Sequence, residues 1–327
     1  MTSEPDSRPA TRNASAPDDA SALVAQMRAG ERRAIAEAAT ECERAGVRPS
    51  PRLAGLMRAM QPYLGHARLI GITGPPGAGK STLVNALIAH VRKLGLSVGV
   101  IAVDPSSPVS GGAILGDRVR MTAAHDDDRV FVRSVASRGA LGGLSPAAVR
   151  VVDALDAAGF DVILIETVGT GQSEIDIAEV ADVRIVVNAP GLGDDIQAMK
   201  SGLLEIADIL VVNKGDRPDA DATLAQLRSA AAIRSSRVPV LKCTATTGDG
   251  IGPLWEAIAP RAEAALQIPP QIRRRRRART LIARAAAEML ARRIQSGEVD
   301  TLGPLADDLL DGRLSLDEAA RRLLEGS

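Results

Sequence analysis

The chain has 327 residues, 45% of them hydrophobic, and 40 Lys and Arg against 40 Asp and Glu. That is enough apolar material to bury the core of two domains, or of one large domain with appendages, and there is no net field to hold the chain to nucleic acid or an anionic membrane. Two Phe, one Tyr and one Trp leave no platform on which successive bases could stack, which excludes a single-strand-binding surface.

Residues 1–19, rich in Ser, Pro, Asp, Thr and Ala and without apolar periodicity, read as a disordered tail. Its acids and its lack of an apolar stretch distinguish it from transit and secretory leaders, and no apolar run approaches the roughly 20 residues of a membrane helix. Cys42 and Cys243 lie far apart, and His66, His90 and His125 neighbour no cysteine, so neither a disulfide framework nor a zinc motif is visible. The expected address is the cytoplasm. Residues 20–62 form a helical segment, with Leu23, Val24, Met27, Ile35, Ala38 and Ala39 at helical spacing and a break at Gly30.

Between 63 and 265, short β-branched runs alternate with helical stretches. The predicted strands are 69–73, 98–104, 130–135, 161–166, 183–188, 209–213 and 238–243, several of them apolar almost throughout. Such runs suit strands covered on both faces, so the expected class is α/β: a doubly wound, mostly parallel sheet with helical N- and C-terminal extensions. Residues 271–327 form the C-terminal extension, with an arginine run at 273–277, an apolar stripe of Leu281, Ile282, Ala285, Met289 and Leu290 in a helix over 279–294, and a last helical stretch over 305–324. Nine Arg and one Glu in 271–293 face seven acids and one Arg in 298–318. Mutual neutralisation, within one chain or across a dimer, accounts for the arginine run better than nucleic acid does. His125, beside Asp126, Asp127 and Asp128, reads as a polar loop rather than a metal site.

The segment Gly74-Pro75-Pro76-Gly77-Ala78-Gly79-Lys80-Ser81 fits the phosphate-loop pattern, follows a predicted strand and opens a predicted helix at Thr82. Glycines let successive N–H groups curl inward, and the helix N-terminus adds partial positive charge, so the pair cradles a polyphosphate. Lys80 is placed for the β and γ phosphates and the Ser81 hydroxyl for Mg²⁺. Asp104 and Glu166 each end an apolar strand, where carboxylates either cap a helix or hold the water shell of a cation. Gly169, just beyond, allows a backbone N–H to approach the γ phosphate. Asn213-Lys214-Gly215-Asp216 follows the strand at 209–213, and the acceptor-only Asp216 carboxylate matches the N1–H and 2-amino group of guanine. Thr244-Ala245 is expected to add a backbone donor to the guanine carbonyl oxygen. The substrate implied is GTP with Mg²⁺, and no tightly bound organic cofactor is expected.

Beyond these motifs, the blocks Ala102-Val103-Asp104-Pro105-Ser106-Ser107, Gly111 to Arg118, Glu166-Thr167-Val168-Gly169-Thr170-Gly171-Gln172-Ser173-Glu174 and Pro190 to Gln197 resemble the MeaB/ArgK family, the methylmalonyl-CoA mutase-associated GTPases. The likeness spans roughly residues 21–325, and the Glu-Thr-Val-Gly block is specific, since most GTPases carry Asp there. The resemblance implies a Mg²⁺-dependent GTPase that acts as chaperone to a B12-dependent acyl-CoA mutase, gating loading or exchange of adenosylcobalamin. It implies that Lys80, Ser81, Asp104, Asp117 and Glu166 serve the metal and phosphates, with Gln172 or Asp117 positioning the attacking water. It also implies that the loop from Gly193 to Lys200 is an additional switch and that residues 271–327 make a homodimer. A metallochaperone-type GTPase and an ATP-dependent kinase or transport ATPase are the alternatives. Three positions depart from the family pattern: Thr244-Ala245 in place of Ser-Ala, Asn188 where an apolar residue is usual, and Gly215 at the variable base-motif position.

Overall fold

The structure, a computed structural model, describes residues 17–44, 50–104, 127–136, 145–167, 177, 179–191, 203–232, 238–296 and 302–325. Residues 1–16, His125, the 193–200 loop and the candidates Asp117, Gly169 and Gln172 lie outside the described residues, as does the side chain of Asp104.

Seven strands form one sheet: β1 (Arg68–Thr73), β2 (Val98–Asp104), β3 (Val130–Ala136), β4 (Val162–Thr167), β5 (Val183–Asn188), β6 (Ile209–Val212) and β7 (Val240–Lys242). Their order is β3-β2-β4-β1-β5-β6-β7, and every pairing is parallel. The chain builds outwards from β1 to the β3 edge, returns to β4, and crosses to β5 on the other side. The central strand β1 therefore ends at the crevice where such sheets bind ligands.

The helices in chain order are α1 (Pro17–Arg28), α2 (Arg32–Arg44), α3 (Pro51–Met60), α4 (Lys80–Lys93), α5 (Pro146–Ala158), α6 (Leu203–Ile206), α7 (Ala220–Ala232), α8 (Ile251–Leu266), α9 (Pro270–Gln295), α10 (Leu302–Leu310) and α11 (Leu316–Glu325). On one face, Leu83, Leu87 and Val91 of α4 and Leu254 and Ile258 of α8 pack over Ile70, Ile72, Val100, Leu164 and Ile185. On the other, Leu224 and Leu227 of α7 cover Val186, Leu210 and Val212. Successive strand residues face opposite sides, so double coverage explains why several strand sequences are apolar almost throughout. Ser50 and Ser145, each followed by a proline, start α3 and α5 by accepting from Leu53 N at 3.1 Å and Ala148 N at 3.2 Å.

At the entry end of the sheet, aspartates satisfy strand N–H groups that no neighbouring strand reaches. Asp161 accepts from both N and Oγ of Ser97 at 2.7 Å, Asp182 from Leu69 N at 3.0 Å, and Asp208 from Arg184 N at 2.8 Å. Asp156, buried on α5, accepts from the backbone N–H groups of Gly65, His66 and Ala67, the last two at 3.0 and 2.8 Å. That one carboxylate holds the turn that delivers the chain into β1.

The N-terminal helices belong to the same compact unit as the sheet, Met1–Gln271. Helix α2 lies along α5 with Ile35, Ala38, Ala39 and Cys42 buried. Arginines tie this layer to the sheet edge: Arg32 Nη1 donates to Val130 O at 2.9 Å, Arg150 Nε to Cys42 O at 3.0 Å, and Arg133 pairs with Glu43. Helix α1 begins at Pro17, so Asp18 and Asp19, assigned to the tail on composition, are helical. Proline followed by acids is the sequence of a helix start.

A second unit covers Ile272–Ser327. Helix α9 runs unbroken from Pro270 through the arginine run rather than starting at 279. Gly312, at φ 70°, turns the chain between α10 and α11, and Arg313 bonds Asp308 across the turn at 2.8 Å. Ile282, Met289, Leu310, Leu316 and Leu324 are exposed.

Asp156→Ala leaves three N–H groups at 65–67 without their acceptor. Its expected cost is about 3 kcal/mol of stability, measured as a lower urea midpoint with nucleotide affinity in the folded state unchanged.

Candidate functional site

The chain leaves β1 through three glycines at positive φ: Gly74 (140°), Gly77 (77°) and Gly79 (86°). At Gly74 a Cβ would sit 2.0 Å from the Val187 carbonyl oxygen of β5, and at Gly79 one would sit 2.4 Å from Asn213 Nδ2. Only glycine fits either place. At Gly77 nothing lies within 4 Å, so there the demand is conformational alone. Ala78 N donates to Pro75 O at 3.3 Å, which closes the Pro75-Pro76 turn.

Helix α4 starts immediately, with Gly79 as its N-cap, so its first N–H groups and its positive end face the loop. Lys80 is buried, and its Nζ donates to Gly74 O at 2.8 Å and Pro75 O at 3.0 Å, across the loop it would serve. Thr82, the next residue but one, is exposed at the helix start. Ser81 Oγ donates to Glu166 Oε1 at 2.6 Å, which joins the helix start to the end of β4. In the sheet Glu166 stands level with Ile72 of β1 and Ala102 of β2, and Asp104 ends β2 alongside β4. The Ser81 hydroxyl and the Glu166 carboxylate are hard oxygen donors that suit Mg²⁺, which prefers a few such ligands and keeps part of its water. One buried pair escaped the reading of the sequence: Thr167 Oγ1 donates to Thr73 Oγ1 at 2.9 Å. A hydroxyl at the last position of two apolar strands was the available signal.

On the other side of the loop, Asn213 is a clamp. Its Nδ2 donates to Ala78 O at 3.0 Å and Gly79 O at 3.2 Å, while its Oδ1 accepts from Ala245 N at 3.1 Å. One carboxamide therefore fastens the phosphate loop to the 244–250 loop. Lys214, at φ 57°, extends its Nζ to Gly77 O at 2.7 Å. Gly215 N donates to Cys243 O at 2.9 Å, and a Cβ there would meet Lys242 Cγ at 2.9 Å. Close approach of β7 thus explains the glycine at this position. Asp216 follows, exposed. In the loop expected to serve the guanine carbonyl oxygen, Thr244 N donates to Asp249 O at 2.9 Å within the loop itself, and Ala245 N donates to Asn213 Oδ1 at 3.1 Å. Cys243, not anticipated, backs Asn213 with its Sγ 3.7 Å from Oδ1. Burial pushes its thiol up to about 12, and that of Cys42 likewise.

Comparison with known proteins agrees with this architecture. The sequence model of the methylmalonyl-CoA mutase-associated GTPases (MeaB) matches residues 35–298. A Pyrococcus abyssi chain assigned as a GTPase is 44% identical over 293 residues, covering 86% of this chain and 89% of the relative. The GTPase ArgK of Escherichia coli is 41% identical over 243 residues, covering 72% and 73%. A solved structure described as a LAO/AO transport system kinase superposes with a TM-score of 0.74 at 29% identity, covering 94% of this chain and 97% of that one.

Two expectations follow. Gly74→Ala, with no room beside Val187, removes measurable nucleotide binding by calorimetry, whereas Gly77→Ala carries only the left-handed backbone cost of about 1 kcal/mol and keeps it within roughly tenfold. The raised thiols mean that at pH 9 iodoacetamide labels Cys42 and Cys243 far more slowly in the native protein than in urea. Because the folded thiols keep their protons to a higher pH than the unfolded ones, stability falls as pH rises beyond about 9.

Proposed function

Since the chain belongs to the MeaB family of methylmalonyl-CoA mutase-associated GTPases, and GTP hydrolysis is its activity, we propose that it is the Mg²⁺-dependent chaperone of a B12-dependent acyl-CoA mutase, gating the loading or exchange of adenosylcobalamin and protecting that enzyme. The observation that carries the nucleotide reading is the Asn213 clamp, which makes the phosphate loop and the base loop one cradle.

In this reading Gly74 to Thr82 wrap the phosphates with backbone N–H groups, and Lys80 turns its ammonium from the loop carbonyls to the β and γ oxygens. Ser81, Glu166, Asp104 and Asp117 hold Mg²⁺, which supplies the charge that the developing phosphate oxygens need. Gly169 reports the γ phosphate through its N–H, and Gln172 or Asp117 orients the water. Asp216 accepts from guanine, which disfavours the kinase or transport ATPase reading, since adenine offers no matching donors. A metallochaperone cargo site calls for soft ligands, and both cysteines are buried and protonated. The exposed Ile282, Met289, Leu310 and Leu324 supply the apolar contact of a two-fold dimer through residues 271–327. With no helix among the described residues long and apolar enough to cross a membrane, we place the protein in the cytoplasm.

GTP turnover with and without a purified B12 mutase tests the proposal. Without an assigned arginine finger, the expected intrinsic rate is about 10⁻⁴ to 10⁻³ per second, as for a Ras-like protein, rising when the mutase is added. An isolated rate already equal to the stimulated one rejects the gating. Asp216→Asn exchanges an acceptor for a donor, and the expected result is a loss of GTP affinity with a gain for xanthosine nucleotides. Equal GTP affinity in variant and parent rejects the guanine reading.

A further inference from the structure

Ser134 lies near the exit end of β3, on the face shared with Val130 and Val132, which pack into the core under α4. It is 8% exposed, and among the described residues its buried Oγ has no hydrogen-bond partner. Buried hydroxyls are ordinarily satisfied by protein or by ordered water, so its position matters. In the sheet register Ser134 pairs with Ala102, and Ala102 pairs with Glu166. The three residues form one rung across β3, β2 and β4, with side chains on the same face. From α4, Ser81 reaches the same Glu166 carboxylate.

The middle of that rung carries only a methyl group. Two strand spacings separate the outer Cα atoms by about 10 Å, too far for a short hydroxyl and a carboxylate to touch directly. A single water over Ala102, with a polar group on each side, would bridge the two, as buried waters do elsewhere.

We propose that Ser134 is a positioning residue for the divalent cation: through one ordered water seated over Ala102, its hydroxyl holds the Glu166 carboxylate in the orientation that turns it towards Ser81 and the metal. This rests on the Mg²⁺ reading of Ser81 and Glu166. Such outer contacts orient a metal's direct ligands, and their loss typically changes metal affinity by 10–100-fold. A second consequence concerns Ala102. A larger side chain there expels the water even though Ser134 is intact.

The test measures affinity of the full-length protein for a fluorescent GDP analogue in Mg²⁺ and in EDTA, and Mn²⁺ affinity of the GDP complex by electron paramagnetic resonance. Ser134→Ala is expected to weaken Mn²⁺ binding about tenfold and to reduce the gain in nucleotide affinity that Mg²⁺ confers, with the EDTA value unchanged. Ser134→Thr, which keeps the hydroxyl, is expected to restore the gain. Ala102→Val, checked for folding by thermal melt, is expected to behave like Ser134→Ala. Parental Mn²⁺ affinity in Ser134→Ala overturns the proposal, as does an equal loss in Mg²⁺ and EDTA, which marks a packing role. If the parent protein shows no cation dependence at all, the Mg²⁺ reading itself falls and takes this proposal with it.

Discussion

Two contacts leave no space for a side chain where the chain emerges from β1. The Val187 carbonyl presses on Gly74 from β5, and the Asn213 carboxamide presses on Gly79 from β6. A loop held between two neighbouring strands in this way has its carbonyls turned outwards to Lys80, Lys214 and Asn213. Ala78 N is taken by Pro75 O, and the glycine N–H groups of the loop suit a concave anion site. The positive end of α4 adds to the same site because the helix begins with no intervening residue. The shape of the loop therefore depends on strand ends that lie far away in sequence.

Those strand ends are polar, while the strands behind them are not. Thr73, Glu166, Thr167, Asn188 and Asn213 are buried at the exit edge, each one residue or less from an apolar run. At the entry edge, carboxylates from Asp156, Asp161, Asp182 and Asp208 accept backbone N–H groups. The two ends of one sheet thus handle unsatisfied backbone in opposite ways. Aspartates close the entry end, and the exit end keeps buried hydroxyl, carboxylate and carboxamide groups.

The outer strand β3 would be an exposed edge were it not bordered by the N-terminal helices. Arg32 occupies its Val130 carbonyl and Arg133 pairs with Glu43 of α2, while Cys42 and Ala38 fill against α5. Half-buried ion pairs of this kind contribute geometry more dependably than energy.

Much of this was legible in the residues. Largely apolar runs predicted seven strands, with 98–104 and 183–188 correct at both ends, because a strand covered on both faces is apolar at most positions. The glycine loop, Lys80, Ser81, Glu166 and the Asn213 motif stood out as candidates because phosphate, cation and guanine chemistry each demand particular groups next to particular strand ends. Local sequence did not reveal which strands become neighbours. That neighbourhood decides why Gly74 faces Val187, why Gly215 sits against Lys242, why the Ala245 amide donates to Asn213, and why Ser134 shares a rung with Glu166. Each is a juxtaposition of strands joined by long connections, so its partner is set by sheet order and register, and those exist only once the whole sheet has assembled.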